Sequence, residues 1–356
     1  LQGQFAIPGQ VVMSKIGLEQ IPMFNIDNGC AAGSSAVHLA INSLKAGNTD
    51  VAMALGCEKM NIADKHKALS MMEAGWDVSR ADQNYETLMK MGEGVEIPPG
   101  SESEKMFSKF MSIYAAMCRF HMKTFGTTQR QIAAVSAKNH EHSTRNPYSQ
   151  FRKSFSIEQI LAAPPITYPL TLPMCAPLSD GAAAAILCTE EGLKRIGADK
   201  SRAIKVAASV IRSFSNRRYD QPELHLGRLA ANQAYEIAGL GPQDMHVAEV
   251  HDAAAMGEII QAENLGFVPL GEGGPAAERG DFSLGGRIPI NVSGGLESKG
   301  HPIGATGIGQ LYELVTQLRG EAGDRQVQGA RHAIQENGGG MIGVEEAAVA
   351  VHILSR

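Results

Sequence analysis

Two short segments, about 270 residues apart, constrain this chain most. The first is Asn28-Gly29-Cys30-Ala31-Ala32-Gly33-Ser34-Ser35, and the second is Lys299-Gly300-His301-Pro302-Ile303-Gly304-Ala305-Thr306-Gly307. Each sets one reactive side chain in a run of small residues that opens into a helix-like pattern. Such elbows need backbone that passes close to backbone or ligand, and glycine allows it. With 39 glycines and only 5% aromatic residues, the chain reads as a layered α/β protein built on tight turns. A cysteine with a small-residue collar can meet a bulky substrate. The unpaired N–H groups and partial positive charge of a helix start are expected to favour its thiolate. A histidine in the second elbow could take the thiol proton, so the pattern points to covalent catalysis by an activated cysteine.

At 356 residues the chain can hold two ordinary domains and a large core. The net charge of -5 and the lack of a dense basic run argue against a nucleic-acid partner. No stretch approaches the ~20 apolar residues of a membrane span. Cys30, Cys57, Cys118, Cys175 and Cys188 form an odd, scattered set, which favours reduced thiols and a cytoplasmic location. The sequence opens on Leu1 and enters directly into Gly/Gln-rich sequence, so an upstream segment is expected.

Along the chain, residues 23–29 read as a strand, 33–46 as a helix and 50–56 as a buried strand. Residues 61–163 are richer in charge, Met and His. They carry a Gly/Pro cluster at 92–100 and helical patterns near 103–124 and 128–143, and read as an insertion with its own helical layer. Strands follow at 180–188, 204–210, 247–250, 330–335 and 347–354. Helices follow at 224–238, 253–265 and 307–319, and 271–286 reads as a glycine-rich loop. A small-residue helix after Cys30 and another after His301, each followed by an apolar strand, form a weak internal repeat.

An ordered series of segments resembles the thiolase superfamily, in its sterol-carrier-protein-type and archaeal-type branch, with benzoylsuccinyl-CoA thiolases among the similar proteins. The series runs through Asn28–Ser35, Gly56–Met60, Asn146–Phe151, Ser179–Ala183, His251–Ala254, Gly300–Gly307 and Asn337–Gly340. The resemblance implies a thiolase fold: five layers, α-β-α-β-α, from two similar halves with an inserted loop domain. It places the N-terminal half at 1–60 plus 164–198, the loop domain at 61–163 and the C-terminal half at 199–356. It also implies coenzyme A as a co-substrate, no permanently bound cofactor or metal, a homodimeric core and a small zinc-ribbon/OB-fold partner protein.

By the same resemblance, Cys30 carries an acyl group as a thioester and His301 activates it. His251 helps hold an enolate oxygen, and the backbone N–H of Gly340 joins that of Cys30 in a second oxyanion site. One departure stands out. The second cysteine of common thiolases is replaced by Glu336, and the sterol-carrier alternative, just after His-Asp, is Ala253. Glu336 could serve as the acid/base if burial raises its pKa; its other reading is a strand-end carboxylate paired with Arg331 or a backbone amide. His140 and His142, two apart on a helix, do not share a face and make a poor metal pair. Arg145, Arg152 and Lys153 could meet coenzyme A phosphates or form a solvated basic patch. Three activities remain open from residues alone: thiolysis or condensation of a 3-oxoacyl-CoA, retro-aldol cleavage or acyl transfer to another acceptor, and a non-catalytic acyl-CoA scaffold.

Overall fold

The computed structural model describes residues 6–356. Helix α1 (Pro8–Lys15) is followed by irregular chain to the Cys30 turn, and α2 (Ala32–Lys45) starts directly after it. The strand expected at 23–29 does not form: no neighbouring strand among the described residues pairs with it. Strand β1 (Val51–Lys59) follows. The insertion then supplies α3 (Lys65–Met72), α4 (Ala81–Lys90), α5 (Lys109–Phe125), α6 (Gln129–Ser143) and α7 (Ile157–Leu161). The Thr128 side chain caps α6 in a reciprocal box with Gln131, which fixes its start. Helix α5 stops at Gly126, which takes the left-handed conformation (φ 79°) that glycine tolerates best.

A short hairpin, β2 (Pro165–Thr167) and β3 (Leu170–Thr171), leads to β4 (Asp180–Cys188) and α8 (Glu190–Arg195). Strand β4 pairs antiparallel with β1, from Val51 opposite Cys188 to Lys59 opposite Asp180. The second half contributes β5 (Lys205–Ser213), α9 (Leu226–Ala238), β6 (Val247–Glu249), α10 (Ala255–Asn264) and α11 (Gly273–Arg279). It ends with α12 (Ile303–Arg319), β7 (His332–Gly339) and β8 (Ala348–Ser355). Its sheet runs β5-β8-β7-β6, with β6 parallel to β7 and the other pairs antiparallel. The stretch 271–286 is not wholly loop. Gly273–Arg279 makes two turns of helix because Gly273, Gly274, Ala276 and Ala277 pack inward.

Helices α2 and α12, one from each half, lie between the two sheets. Helix α12 touches β1 and β4 on one side and β6 and β7 on the other. A core of Val37, Ile41, Ala54, Ile308, Leu311, Leu314 and Ala333 joins them. The two helices cross with little room to spare: a Cβ on Gly33 would stand 2.9 Å from the Gly304 carbonyl oxygen. A Cβ on Gly307 would stand 2.0 Å from Ser34 Oγ. That close crossing sets the starts of both helices, with Cys30 and His301, side by side.

The insertion is not a detached layer. Ile132, Ala133 and Val135 of α6 share one hydrophobic core with Met256 and Ile259 of α10 and with Val349 and Val351 of β8. Burial of these side chains welds the insertion to the C-terminal half.

Candidate active site

Cys30 sits in the tight turn that precedes α2, and its Sγ lies 3.2 Å from His301 Nε2. The opposite ring nitrogen, His301 Nδ1, is 2.7 Å from Thr306 Oγ1. The Thr306 hydroxyl donates to the Pro302 carbonyl at 3.1 Å. A hydroxyl has one proton to give, so in the tautomer consistent with that donation Thr306 accepts from His301 Nδ1–H. The Nε2 lone pair is left aimed at the thiol, as a general base requires. The His301 backbone N–H donates to Ser179 Oγ at 2.9 Å, tying the elbow to the entry of β4.

Burial decides the charge state. The Cys30 thiol is pushed up to about 12, chiefly by desolvation, with Glu58 and Asp27 adding to the rise. The expected stabilisation of a resting thiolate by the start of α2 is therefore overridden: loss of water outweighs the helix-end charge. His301 is held well below its ordinary value by burial, then by His251 and Lys299. The resting pair is neutral thiol and neutral imidazole, and the thiolate forms as the proton moves to His301 during attack.

His251 follows β6. Its ring centroid is 5.2 Å from that of His301. Cys30 Sγ and a ring nitrogen from each histidine lie within 4.8 Å of one another. Nε2 of His251 is buried and has no hydrogen-bond partner among the described residues. An imidazole with an unpartnered nitrogen beside a cysteine and a second imidazole is a place for a substrate oxygen. Burial lowers this histidine to about 4, against the opposing effects of Glu346 and the Gly338 backbone.

Gly340 lines the same cleft, an open space of about 2020 Å³. Its backbone N lies 3.0 Å from where a Cβ on Gly29 would stand, so the bare Gly29 lets the Gly338–Gly340 turn approach Cys30.

Glu336 behaves differently from the expectation of an acid/base facing substrate. Alternation along β7 turns Gln335 and Asn337 toward α2: Ser34 Oγ donates to Asn337 Oδ1 at 2.7 Å, and Gln335 Nε2 donates to Ser34 Oγ at 2.8 Å. Glu336 falls on the other face, where its Oε2 accepts from the His251 backbone N–H at 3.0 Å. It is fully buried and absent from the cleft wall. Burial and Glu346 raise its pKa well above the carboxylate range. Glu336 anchors the His251 turn, and its partner is a backbone amide, not Arg331.

The remaining singled-out residues do not line the cleft. His140 Nε2 lies 3.1 Å from the Pro173 carbonyl and His142 Nδ1 3.0 Å from that of Asn291. Arg145 pairs with Glu141 on its own helix, and Lys153 sits 5.1 Å over the Phe155 ring. Two further residues, Thr306 behind His301 and Glu346 on the cleft wall, had no sequence signal of their own. Thr306 shows its role only through contact with His301. Glu346 comes to the cleft because β7 and β8 pair around the glycine turn.

Two family models match the chain. The description "Thiolase, N-terminal domain" matches residues 2–159, and "Thiolase C-terminal domain-like" matches 212–356. Acetyl-CoA acetyltransferase of Methanothermobacter thermautotrophicus is 38% identical over 97% of this chain and 83% of its own length. The chain belongs to the thiolase family. Sterol carrier protein 2 of Rattus norvegicus is 36% identical, and the match covers 98% of this chain but 61% of that protein. The benzoylsuccinyl-CoA thiolase subunit BbsB of Thauera aromatica is 33% identical over 90% of this chain and 77% of its own.

Two solved structures share the thiolase fold. The Ltp2-ChsH2(DUF35) aldolase superposes with a TM-score of 0.73 at 19% identity, over 98% of this chain and 83% of that one. Human mitochondrial 3-ketoacyl-CoA thiolase does so at 0.64 and 15% identity, over 97% and 82%. No helix among the described residues is long and apolar enough to cross a membrane.

Proposed function

We propose that this chain is a thiolase-type acyl-CoA C-acyltransferase. It cleaves a 3-oxoacyl-CoA with coenzyme A, or runs the reverse condensation, through an acyl-thioester on Cys30. The observation that carries this reading is the 3.2 Å contact between Cys30 Sγ and His301 Nε2, with Nδ1 2.7 Å from Thr306 Oγ1. A lyase that breaks a carbon–carbon bond without acylating the enzyme has no use for that pair.

In the cleavage direction His301 takes the thiol proton as Cys30 attacks the 3-oxo carbonyl. The electrons of the breaking bond pass to an enolate, whose oxygen lies beside His251. The two oxyanion sites are His251 for the thioester oxygen of the leaving part and the backbone N–H groups of Cys30 and Gly340 for the attacked carbonyl. Coenzyme A then collects the acyl group, and Cys30 recovers its proton from His301. The likeness to BbsB supports a branched or aromatic acyl chain. That relative is named as a subunit, and the aldolase neighbour is named with a DUF35 component, which supports a small zinc-ribbon/OB-fold partner here. A cytoplasmic homodimeric core completes the reading.

The test is turnover of aliphatic and aromatic 3-oxoacyl-CoA substrates by the full chain, with and without a co-expressed partner, against Cys30→Ser. The expected result is CoA-dependent cleavage reduced by orders of magnitude in Cys30→Ser at unchanged melting temperature, because an alcohol is far harder to ionise. Cleavage that needs no coenzyme A and survives the substitution would make the protein a lyase.

A further inference from the structure

We propose that Glu346 is the acid/base that exchanges a proton with the α-carbon of the substrate, in place of the second cysteine, with His225 and Gln261 positioning it. The inference rests on the acyl-transfer reading above and names a residue that reading leaves open. Glu346 lines the cleft that holds Cys30, His251 and His301. Its Oε1 accepts from Gln261 Nε2 at 3.4 Å. Its Oε2 is buried, has no hydrogen-bond partner among the described residues, and lies 3.6 Å from His225 Nε2. One oxygen is thus steadied and the other is left for a reacting group.

The local backbone makes this placement possible. A Cβ on Gly338 would stand 2.7 Å from Glu346 Cγ, so the bare Gly338 lets the carboxylate fold over the glycine turn that also meets Cys30. Glu346 is close enough to His251 to oppose its loss of charge. Its charge and that of Cys30 both oppose ionisation of Tyr114, which lines the same wall. Glu336 has no such access, since it sits behind the His251 turn.

The steps balance. In cleavage, Cys30 Sγ bonds to C3 while its proton passes to His301. The C2–C3 bond breaks with its electron pair on C2, and the protonated Glu346 carboxyl gives its proton to C2. The Glu346 carboxylate recovers its proton from solvent as the first product leaves, and coenzyme A enters as the thiolate with its own proton released to solvent. The CoA sulfur bonds to the acyl carbon, and Cys30 leaves and regains its proton from His301. In condensation the same carboxylate removes the α-proton of the incoming acyl-CoA.

The experiment uses the full chain with acetyl-CoA in D2O. It follows two readouts: deuterium entry into the acetyl methyl group, and acetylation of Cys30 by intact-protein mass spectrometry. Glu346→Gln is expected to lower deuterium exchange at least about 100-fold while Cys30 acetylation stays within about threefold. Glu346→Asp should recover part of the exchange. Exchange within threefold of wild type in Glu346→Gln, or equal loss of both readouts, overturns the proposal. A wild type that exchanges deuterium in a Glu346-dependent way without acetylating Cys30 supports Glu346 and sinks the acyl-enzyme reading. A wild type that does neither overturns both.

Discussion

Thr306→Val is the sharpest probe of how the cysteine is armed. The substitution keeps shape and burial and removes the oxygen that accepts the His301 Nδ1 proton at 2.7 Å. The Pro302 carbonyl is not orphaned, because the backbone N–H groups of Ala305 and Thr306 donate to it at 2.8 and 2.9 Å. The only group left unpaired is the buried Nδ1–H. A buried donor without a partner costs about 1–3 kcal/mol. The ring can escape that cost by turning or by moving the proton to Nε2, and either change takes the lone pair away from Cys30. At 1.36 kcal/mol per tenfold, acylation should slow by roughly 5- to 150-fold. Thr306→Ser keeps the oxygen and should stay within about threefold. The assay is the single-turnover rate of Cys30 acylation by acyl-CoA, followed by quenching and intact mass, with melting temperature as the folding control. A Thr306→Val protein that acylates within twofold of wild type would show that the imidazole is oriented by something else.

Three further outcomes follow from the same structure. The thiol is raised to about 12, so iodoacetamide labelling of Cys30 in the free protein should keep climbing from pH 8 to 10. A plateau near neutral pH would reveal a resting thiolate. Gly56→Ala should destabilise by about 1–3 kcal/mol or more in a denaturant titration, since its Cβ would meet the Gly304 oxygen at 2.1 Å, where both atoms belong to packed backbone; an unchanged midpoint would contradict the tight seam between β1 and α12.

The third concerns Glu297, buried with Asp252 and Glu258 around the amide of Asn139. Burial raises its folded pKa to about 8, above the ordinary 4.5. The folded state then binds the extra proton between those values. The stability that this group contributes below pH 4.5 is lost as the pH rises to about 8. Glu297→Gln should therefore gain on wild type across that window in chemical denaturation. A stability difference that is flat with pH would mean the carboxyl titrates normally.

Much of the site was legible from local sequence. Cys30 and His301 stand in elbows whose small residues announce close approach, and a helix follows each. The start of α2 was readable to within one residue for that reason, whereas α12 begins at Ile303, ahead of the expected 307. Elements that depend on distant partners were harder. Residues 23–29 have strand-like composition, but a strand exists only where another pairs with it. Gly273–Arg279 is helical because its small residues pack inward on their neighbours, and composition alone reads as loop. Glu336 shows why two readings stayed open, the acid/base and the carboxylate bonded to a backbone amide, of which the structure shows the second contact. Its place in the chain pointed to the site, yet side chains alternate along β7, and the face it takes depends on the register with β8 and β6. Glu346, ten residues on, reaches the cleft only because β8 folds back on β7 after the glycine turn. Desolvation likewise reversed the charge expected at Cys30, since its neighbours in space, which the sequence does not show, displace part of its water.

The central claim is that Cys30 sulfur forms a covalent bond to the acyl group and His301 receives its proton. Intact-protein and peptide mass spectrometry, after rapid mixing of the full chain with a 3-oxoacyl-CoA in the absence of free coenzyme A, measures that bond directly. The account predicts an acyl adduct on Cys30 alone, discharged on adding coenzyme A and strongly slowed in His301→Ala. Steady carbon–carbon cleavage with no adduct at Cys30 would contradict it.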